Sequence, residues 1–585
     1  MPDHEQAGQR PARAGPVPSV DAEDTSQAAS ADALVTRTDV VPTASTGLPV
    51  AVPAVRPRAR RLPGFARRWL AIFAGSLGLF IIRFLVPTPV GQADNHDGKR
   101  VMCAFGVAPV TGGHRRWISY AYFQFAPSAS CAKLGVYPTS QLVPLEAARL
   151  LTPLLGLPGT VNLIALGLLT CAIASFGIAS LAVGLRLRLW AQLGVAAAAW
   201  LIMADAAFFD LYASPFSEPA VLIGLLLVAA GVVYLCRGWH EAVFGLVLVG
   251  VGGCLAILAK EQYVILVVPI CLTVILAGAT RDRGRRLRGF LTRQTGAAVA
   301  VAAFLTLLSA GYLYWGNTSS YAAALQHQQA VDMIFGDIVN GHDNAHADLR
   351  ALGLPASWAR YSGTYVWSRN SVRNNPLYVR YEAKFTDGNI AHFLLTHPDR
   401  IVSIGQHAAK YAMHFRVTYL GNYSPIAGHP AGALENRVVV VTSLAKSISS
   451  SLGLWWLVSL WATLAVIALR AICLRRSSPW RRDGAVVVLC MTGCAVAAFI
   501  PPAFFDGVAI ARHMVGSNLA SVLAVLVGLA LLVSLISQPA NRIGRRVARR
   551  VGSKTPGRGS FTRPVRRSRR CPSGADPVGK PNACG

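Results

Sequence analysis

Charge is what this sequence lacks. Only 14% of its 585 residues are Asp, Glu, Lys or Arg, against roughly 25% in a soluble globular protein. That shortage excludes an ordinary water-soluble domain. A hydrophobic content of 53% and a mean hydropathy of +0.43 point to a bilayer as solvent. Acid is scarcer than base, with 27 Asp and Glu against 56 Lys and Arg and a formal charge of +29. In a soluble chain that excess would suggest nucleic acid, but no base-stacking aromatics accompany the basic tail, so nucleic acid is not an expected partner. The 11 cysteines include no Cys-x-x-Cys pair, which removes zinc-ribbon and thioredoxin-like sites. Most lie in apolar runs and read as small hydrophobes. No apolar run precedes residue 69. A cleavable signal peptide is therefore not expected, and the first run reads as a signal anchor.

What the chain does have is long apolar runs, each near the roughly 20 residues that cross a hydrocarbon core. They fall near 69–88, 160–184, 189–207, 219–236, 242–259, 264–279, 296–315, 452–473, 485–503 and 516–536. The expected fold is an all-α polytopic membrane protein of about ten transmembrane helices with large extracytoplasmic loops. Residues 1–68 are rich in Ala, Pro, Ser and charge and read as a disordered basic cytoplasmic arm. Residues 69–536 form the membrane domain, and 537–585 a disordered basic cytoplasmic tail. With the N-terminus inside, every strongly basic short segment falls on the cytoplasmic side: 186–188, Arg237, 281–293, 475–482 and the tail. The same assignment exports 91–158, 208–218, 260–263, 316–451 and 504–515. The localisation expected is the cytoplasmic membrane, multi-pass, with both termini inside. Loops as long as 91–158 and 316–451 usually carry function. Within the second, 319–335 and 391–419 read as amphipathic helices.

The exported segments hold the chemistry. Asp94-Asn95-His96-Asp97-Gly98-Lys99-Arg100-Val101-Met102 follows the first membrane helix. A carboxylate there can take the proton from an attacking hydroxyl; the plainer account is a solvated turn. Glu218 closes an aromatic run and starts a helix, where a carboxylate suits the dipole. Lys260 interrupts two apolar runs, at a cost unless it reaches water or a partner; it either snorkels outward or meets a lipid phosphate. Arg512, beside His513, is an outer-face cation against the prevailing bias. It suits either a phosphate or an ion pair. Cys103 and Cys131 share one exported loop, so a disulfide is open to them in an oxidising compartment, two free thiols being the alternative. His342 and His346 are spaced for a shared helix face, but no third ligand has diagnostic spacing, so no metal site is assigned.

With these segments in view, the chain resembles the GT-C superfamily of membrane glycosyltransferases. It is closer still to a bacterial branch of surface-glycan hexose transferases. The resemblance rests on residues 94–102, similar to an Asn-Gly-Asp-x-x-Arg-Val-Met pattern, and on Ser217-Glu218. It rests also on Leu352-Gly353-Leu354-Pro355, His397-Pro398-Asp399-Arg400, Leu420-Gly421-Asn422-Tyr423 and Asp506 with Arg512-His513. It departs at His96, where the pattern has Gly. The resemblance implies an inverting sugar transfer from a polyprenyl-phosphate donor to a glycan or lipid acceptor, with Asp97 at the catalytic centre and Asp94 the second candidate. Glu218, Lys260, Arg512 and His513 are the expected substrate-binding residues. No cofactor is implied, although a divalent cation could accompany the phosphate. A transporter or flippase of lipid-linked glycans, or a glycan polymerase, is the rival reading. Polymerase chemistry draws on the loop arginines Arg350, Arg360, Arg369, Arg373 and Arg380.

The topology is checked by reporter fusions after residues 110, 380 and 508, all expected to report the outside. A cytoplasmic signal at 380 would remove the large loop from the site and overturn the reading.

Overall fold

The computed structural model describes residues 64–113, 116–132, 137–281, 293–318, 320–340, 344–474, 478–508 and 510–552. The expected N-terminal arm up to 63, the tail from 553, His342 and most of the 281–293 loop lie outside them.

All ten apolar runs are helical. α1 (Gly64–Leu85) leads into the first polar segment, which holds α2 (Asp97–Met102) and α3 (Leu142–Leu154). Between and after them β1 (Val107–Pro109), β2 (Gln124–Pro127) and β3 (Val161–Asn162) make a small antiparallel sheet. Then come α4 (Leu163–Gly184), α5 (Leu189–Ala204), α6 (Ala206–Phe209), α7 (Glu218–Leu235), α8 (Trp239–Ile257), α9 (Val267–Arg281) and α10 (Arg293–Thr318). The second polar segment holds α11 (Ser320–Asp332), a π turn Met333–Ile338, α12 (Ala345–Ala351), α13 (Tyr378–Tyr381), α14 (Asp387–Thr396) and α15 (Pro398–Met413). α16 (Val440–Cys473), α17 (Pro479–Phe504), α18 (Ile510–His513) and α19 (Val515–Gly552) complete the chain.

Among the described residues, 8 helices are long and apolar enough to cross a membrane, and up to 9 if α5 and α6 form one span bent by 60°. The sequence suggested about ten, and the difference has local causes. At the bend, the Asp205 carboxylate accepts from Ala207 N at 3.1 Å and from Val441 N and Thr442 N at 2.7 and 3.1 Å. It caps new helices instead of continuing the old one. The run near 264–279 is a shorter apolar helix, Glu261–Ala277. At the far end α19 runs on to Gly552, past the 536 boundary, so part of the basic tail is helical.

α7 is the axis: every residue from Glu218 to Leu235 is buried. It meets α8 through glycines. A Cβ on Gly224 would lie 2.6 Å from the Gly252 carbonyl oxygen, and one on Gly231 2.7 Å from that of Gly245. Small residues let membrane helices approach backbone to backbone. The polar groups sort to two ends. At one, Arg237 reaches the Gly184 carbonyl and Asp483 (3.1 Å), Arg186 pairs with Glu241, and Arg481 donates to the Ser534 hydroxyl at 2.6 Å. These arginines come from three of the loops expected inside. The opposite end carries the long polar segments.

Those two segments are sewn together. Gly91 N donates to Asn422 O (3.0 Å), Ala93 N to Gly421 O (2.8 Å) and Asn422 Nδ2 back to Gly91 O (2.9 Å). The Leu420–Tyr423 stretch is thus a seam. A Cβ on Gly421 would lie 2.2 Å from the Ser119 carbonyl oxygen, so only glycine fits there. Beneath the seam Glu435 pairs with Arg83 and with Arg437 (2.7 Å), while Arg416 holds Asp210 (3.0 Å) and Asn422 (2.8 Å). Residues 330–404 have a second hydrophobic core around Phe335, Trp358, Phe385 and Phe393. Leu352 and Leu354 belong to it, and the Arg400–Asp348 pair (3.2 Å) braces it. Of the two stretches expected as amphipathic helices, 319–335 holds α11, whereas 391–419 breaks at His397 between α14 and α15 and leaves the helix after Met413; α15 packs over α16 and α17 as a cap.

Arg83→Met leaves the Glu435 carboxylate buried with one ion pair removed. Breaking a buried pair costs about 3–5 kcal/mol, so thermal unfolding in detergent should shift to clearly lower temperature. An unchanged midpoint would show that the seam does not depend on this pair.

Candidate functional site

At the end of α7 that carries the seam, seven stretches of chain, Tyr137 among them, converge on a cleft of about 450 Å³. Residues 95–101 form one wall, and Phe216, Ser217 and Glu218 form the floor. Lys260 enters from the α8–α9 turn, and Asp506, Arg512 and His513 from the α17–α19 connection. Gln328, Gln329 and Asp332 of α11, with Trp367, make the opposite wall.

The backbone of the first wall is set by Asp94. Its two carboxylate oxygens accept from Gly98 N and Lys99 N, both at 2.8 Å, and so hold the start of α2. Burial outweighs those bonds and lifts Asp94 to about 6. Asp94 is behind the cleft wall and not among its lining residues; its visible work is to position α2. His96 follows with φ +81°, in the left-handed region where glycine is most at ease. The turn therefore has the shape a glycine would give it. The His96 ring packs against Trp117 at 5.4 Å.

Asp97 opens onto the cleft and pairs with Arg512, the hub of the site. Arg512 is 2% exposed; its Nη1 donates to Asn95 Oδ1 at 3.0 Å, and its Nε lies 3.3 Å from Glu218 Oε1. Its guanidinium covers the Phe216 ring at 4.6 Å. Arg100 lies 3.5 Å from the other Asp97 oxygen. Burial opposes charge on Asp97, but the Arg512 guanidinium beside it, then Lys260 and His513, hold its carboxyl well below the usual range.

His513 joins the remaining charges. Its Nδ1 faces Asp506, and its Nε2 is 2.6 Å from Lys260 Nζ and 3.1 Å from Arg512 Nη2. The neutral tautomer with hydrogen on Nδ1 fits all three partners. It donates to Asp506 and accepts from the cations. Burial, with the two cations, pushes His513 below its ordinary value, although Asp506 pulls the other way. Burial also pushes Lys260 down, against the pull of Glu218, Asp506 and Asp97. Asp506 stays low because His513 and Lys260 outweigh the effect of its burial. Gln262 Nε2 and the Tyr263 hydroxyl donate to the His513 carbonyl at 2.9 and 3.2 Å, locking the α8–α9 turn onto α18.

Asp97, Glu218, Lys260, Arg512 and His513, all singled out in the sequence, thus meet in one cleft. Sequence reasoning missed Tyr137, Gln328, Gln329, Asp332 and Trp367 as lining residues. None sits in a patterned motif; Asp332 ends a helix of ordinary composition. Phe216 lies in the aromatic run before Glu218, which gave a signal but not its place under Arg512. The large-loop arginines do not line the cleft. Arg373 sits 5.6 Å from the Trp367 ring, and Arg360 covers Tyr361 at 5.0 Å. His346 Nδ1 bonds to the Ala356 carbonyl at 2.8 Å. The described residues hold no group of three or more His, Cys, Asp and Glu arranged to hold a metal. Cys103 and Cys131, just beyond α2, are joined by a disulfide.

A cleft of this make-up can bind an anion. Lys260 donates to His513 and keeps further N–H groups for a ligand, and Arg512 and Arg100 stand beside it. Acids hold two of these cations in place: Asp97 pairs with Arg512 and Arg100, and Glu218 faces Arg512. Among comparisons with known proteins, the profile of the YfdI N-terminal transmembrane domain matches residues 66–540. No curated protein and no solved structure matches the chain.

Mass labelling of thiols in the folded protein should leave Cys103 and Cys131 unmodified until a reductant is added. Labelling of both without reductant would contradict the disulfide.

Proposed function

The chain belongs to the YfdI N-terminal transmembrane domain family, and from that premise and the cleft we propose that it is a membrane glycosyltransferase. The sugar donor is a polyprenyl-phosphate sugar, and the acceptor is a glycan or lipid of the cell envelope. The observation that carries the reading is the meeting of Arg512, Lys260 and Asp97 in one cleft at the mouth of a membrane bundle. The lipid tail of the donor stays between helices while its phosphate reaches Lys260 and Arg512. These cations stabilise the negative charge that grows on the phosphate as the glycosidic bond breaks. Fixed charge acts most strongly where water is excluded, and Arg512 is buried. Asp97, matched to the Asp of the resembling branch, stands at the reaction centre beside the guanidinium. Glu218 holds Arg512 from below.

The outer face of the cytoplasmic membrane is the side this reading requires. Arg186, Arg237 and Arg481 at the opposite end of the bundle support it, because basic loops are retained inside. A disulfide beside α2 fits an oxidising compartment. On that face no nucleotide sugar is at hand, so the sugar arrives on a lipid. A transporter of lipid-linked glycans is the weaker reading. Such proteins bind substrate near the midplane, whereas this cleft lies at one end of α7.

In a strain lacking the gene, the surface glycan should lose a sugar that the wild-type gene restores. Asp97→Asn and Arg512→Lys, at matched membrane levels, should fail to restore it, with losses of about 10²-fold or more. Full restoration by both variants would make the cleft a structural ion cluster and the transferase reading untenable.

A further inference from the structure

Sugar transfer by attack of a hydroxyl needs a group that takes the hydroxyl proton, and the acids of the cleft are not equally free to do so. Four carboxylates line it: Asp97, Glu218, Asp332 and Asp506. Asp97 is paired with Arg512 and Arg100, Glu218 with Arg512, and Asp506 with His513. A carboxylate held by a guanidinium is a poor proton acceptor. Asp506, despite its burial, is held low by the hydrogen bond from His513 and the charge of nearby Lys260. Asp332 differs. It is 6% exposed, yet no cation pairs with it among the described residues. Its Oδ1 accepts from Val366 N, and no partner among the described residues takes Oδ2.

Its placement is firm. A Cβ on Gly507 would lie 2.4 Å from the Asp332 backbone carbonyl carbon, so the 506–508 turn that carries the Asp506 side of the cleft packs directly on the end of α11. The Val366 bond fixes a second neighbour, because the next residue is Trp367. That indole lines the cleft, is 72% exposed, and is approached by Arg373 at 5.6 Å. Gln328 and Gln329 stand on the same wall. An open aromatic face beside amide side chains is the chemistry that receives a sugar ring and its hydroxyls. The cleft therefore has a cationic side made by Lys260, Arg512 and Arg100, and an uncharged aromatic and amide side with one unpaired carboxylate.

We propose that Asp332 is the catalytic base of the transfer, acting on a saccharide acceptor that rests on Trp367, with Asp97 a positioning residue for Arg512. This rests on the transferase reading above. In the step, the acceptor hydroxyl oxygen bonds to the anomeric carbon. The bond from that carbon to the phosphate oxygen breaks, its electron pair leaving with the phosphate. The hydroxyl proton goes to Asp332 Oδ2. Burial first, and then the nearby Asp506 carboxylate, lift Asp332 to about 7. The titratable groups around it are Asp506 on the packed turn, Asp337 in the π turn that follows α11, with His407 of α15 3.4 Å from Asp337, and the Tyr365 and Tyr378 phenols. A base must be unprotonated to act, so transfer should fall as the pH drops below about 7.

The test uses membranes of the gene-lacking strain carrying full-length variants. They are supplied with radiolabelled polyprenyl phosphate bearing the sugar that the strain loses. Asp332→Asn keeps an oxygen for Val366 N, so the fold is retained. It should lower transfer by about 10²-fold or more with the donor KM unchanged, and Asp332→Glu should retain activity. Added formate should restore part of the transfer in Asp332→Ala, whereas Asp97→Asn should raise the donor KM. Wild-type-like transfer by Asp332→Asn would overturn the assignment while leaving the transferase reading intact. So would equal losses in Asp332→Asn and Asp332→Glu with a raised donor KM and no rescue by formate. No transfer by the wild-type protein would overturn the transferase reading and this inference together.

Discussion

The site depends on one buried cation. Arg512 touches Asn95 and Asp97 from the first polar segment, Glu218 from the central helix and His513 beside it, and it lies over Phe216. An unpaired guanidinium at that depth would be expensive. The surrounding acids are therefore a requirement of burying the arginine, whatever part they take in the proposed transfer. The pairing also fixes distance: groups more than 400 residues apart in sequence are held within hydrogen-bond reach. Arg512 and Lys260 are held in place by the protein's own groups, and the proposed stabilisation of a leaving phosphate needs cations fixed in advance.

Two further polar systems make the hub possible. The seam between residues 90–93 and 420–423, with Arg83, Glu435 and Arg416 beneath it, anchors the long loop to the bundle. The separate core around Trp358 and Phe385 takes in the end of α11 and Val366, and so places Asp332 and the neighbouring Trp367 on one wall. At the opposite end, Arg237 with Asp483 and Arg186 with Glu241 close the bundle. Polar groups gather at the two ends, and α7 is buried along its whole length between them.

Much of this is legible in the sequence because the bilayer imposes simple rules. Apolar length gives the helices, and basic bias gives the two ends. Charges where none are expected, at Lys260 and Arg512, mark the cleft, and Asp97 and Glu218 flank apolar runs on the same side. What is not legible depends on contacts between distant segments. Asp205 breaks a span by capping backbone from residues 441 and 442. Asp94 shares a motif with Asp97 but turns its oxygens onto the backbone of α2. Asp332 and Trp367 reach the cleft only because the 330–404 region folds on its own core and Gly507 lets the chain pack against α11. The Leu420–Tyr423 stretch signals importance in the sequence, yet its work is the seam and not chemistry.

The most direct measurement is an experimental structure of the full-length protein in a lipid nanodisc with a polyprenyl-phosphate hexose bound. The account predicts phosphate density between Lys260 and Arg512, the anomeric carbon facing the Asp332 side of the cleft, and the prenyl chain leaving between helices. Phosphate bound away from both cations, or a sugar lying on the opposite end of α7, would contradict it.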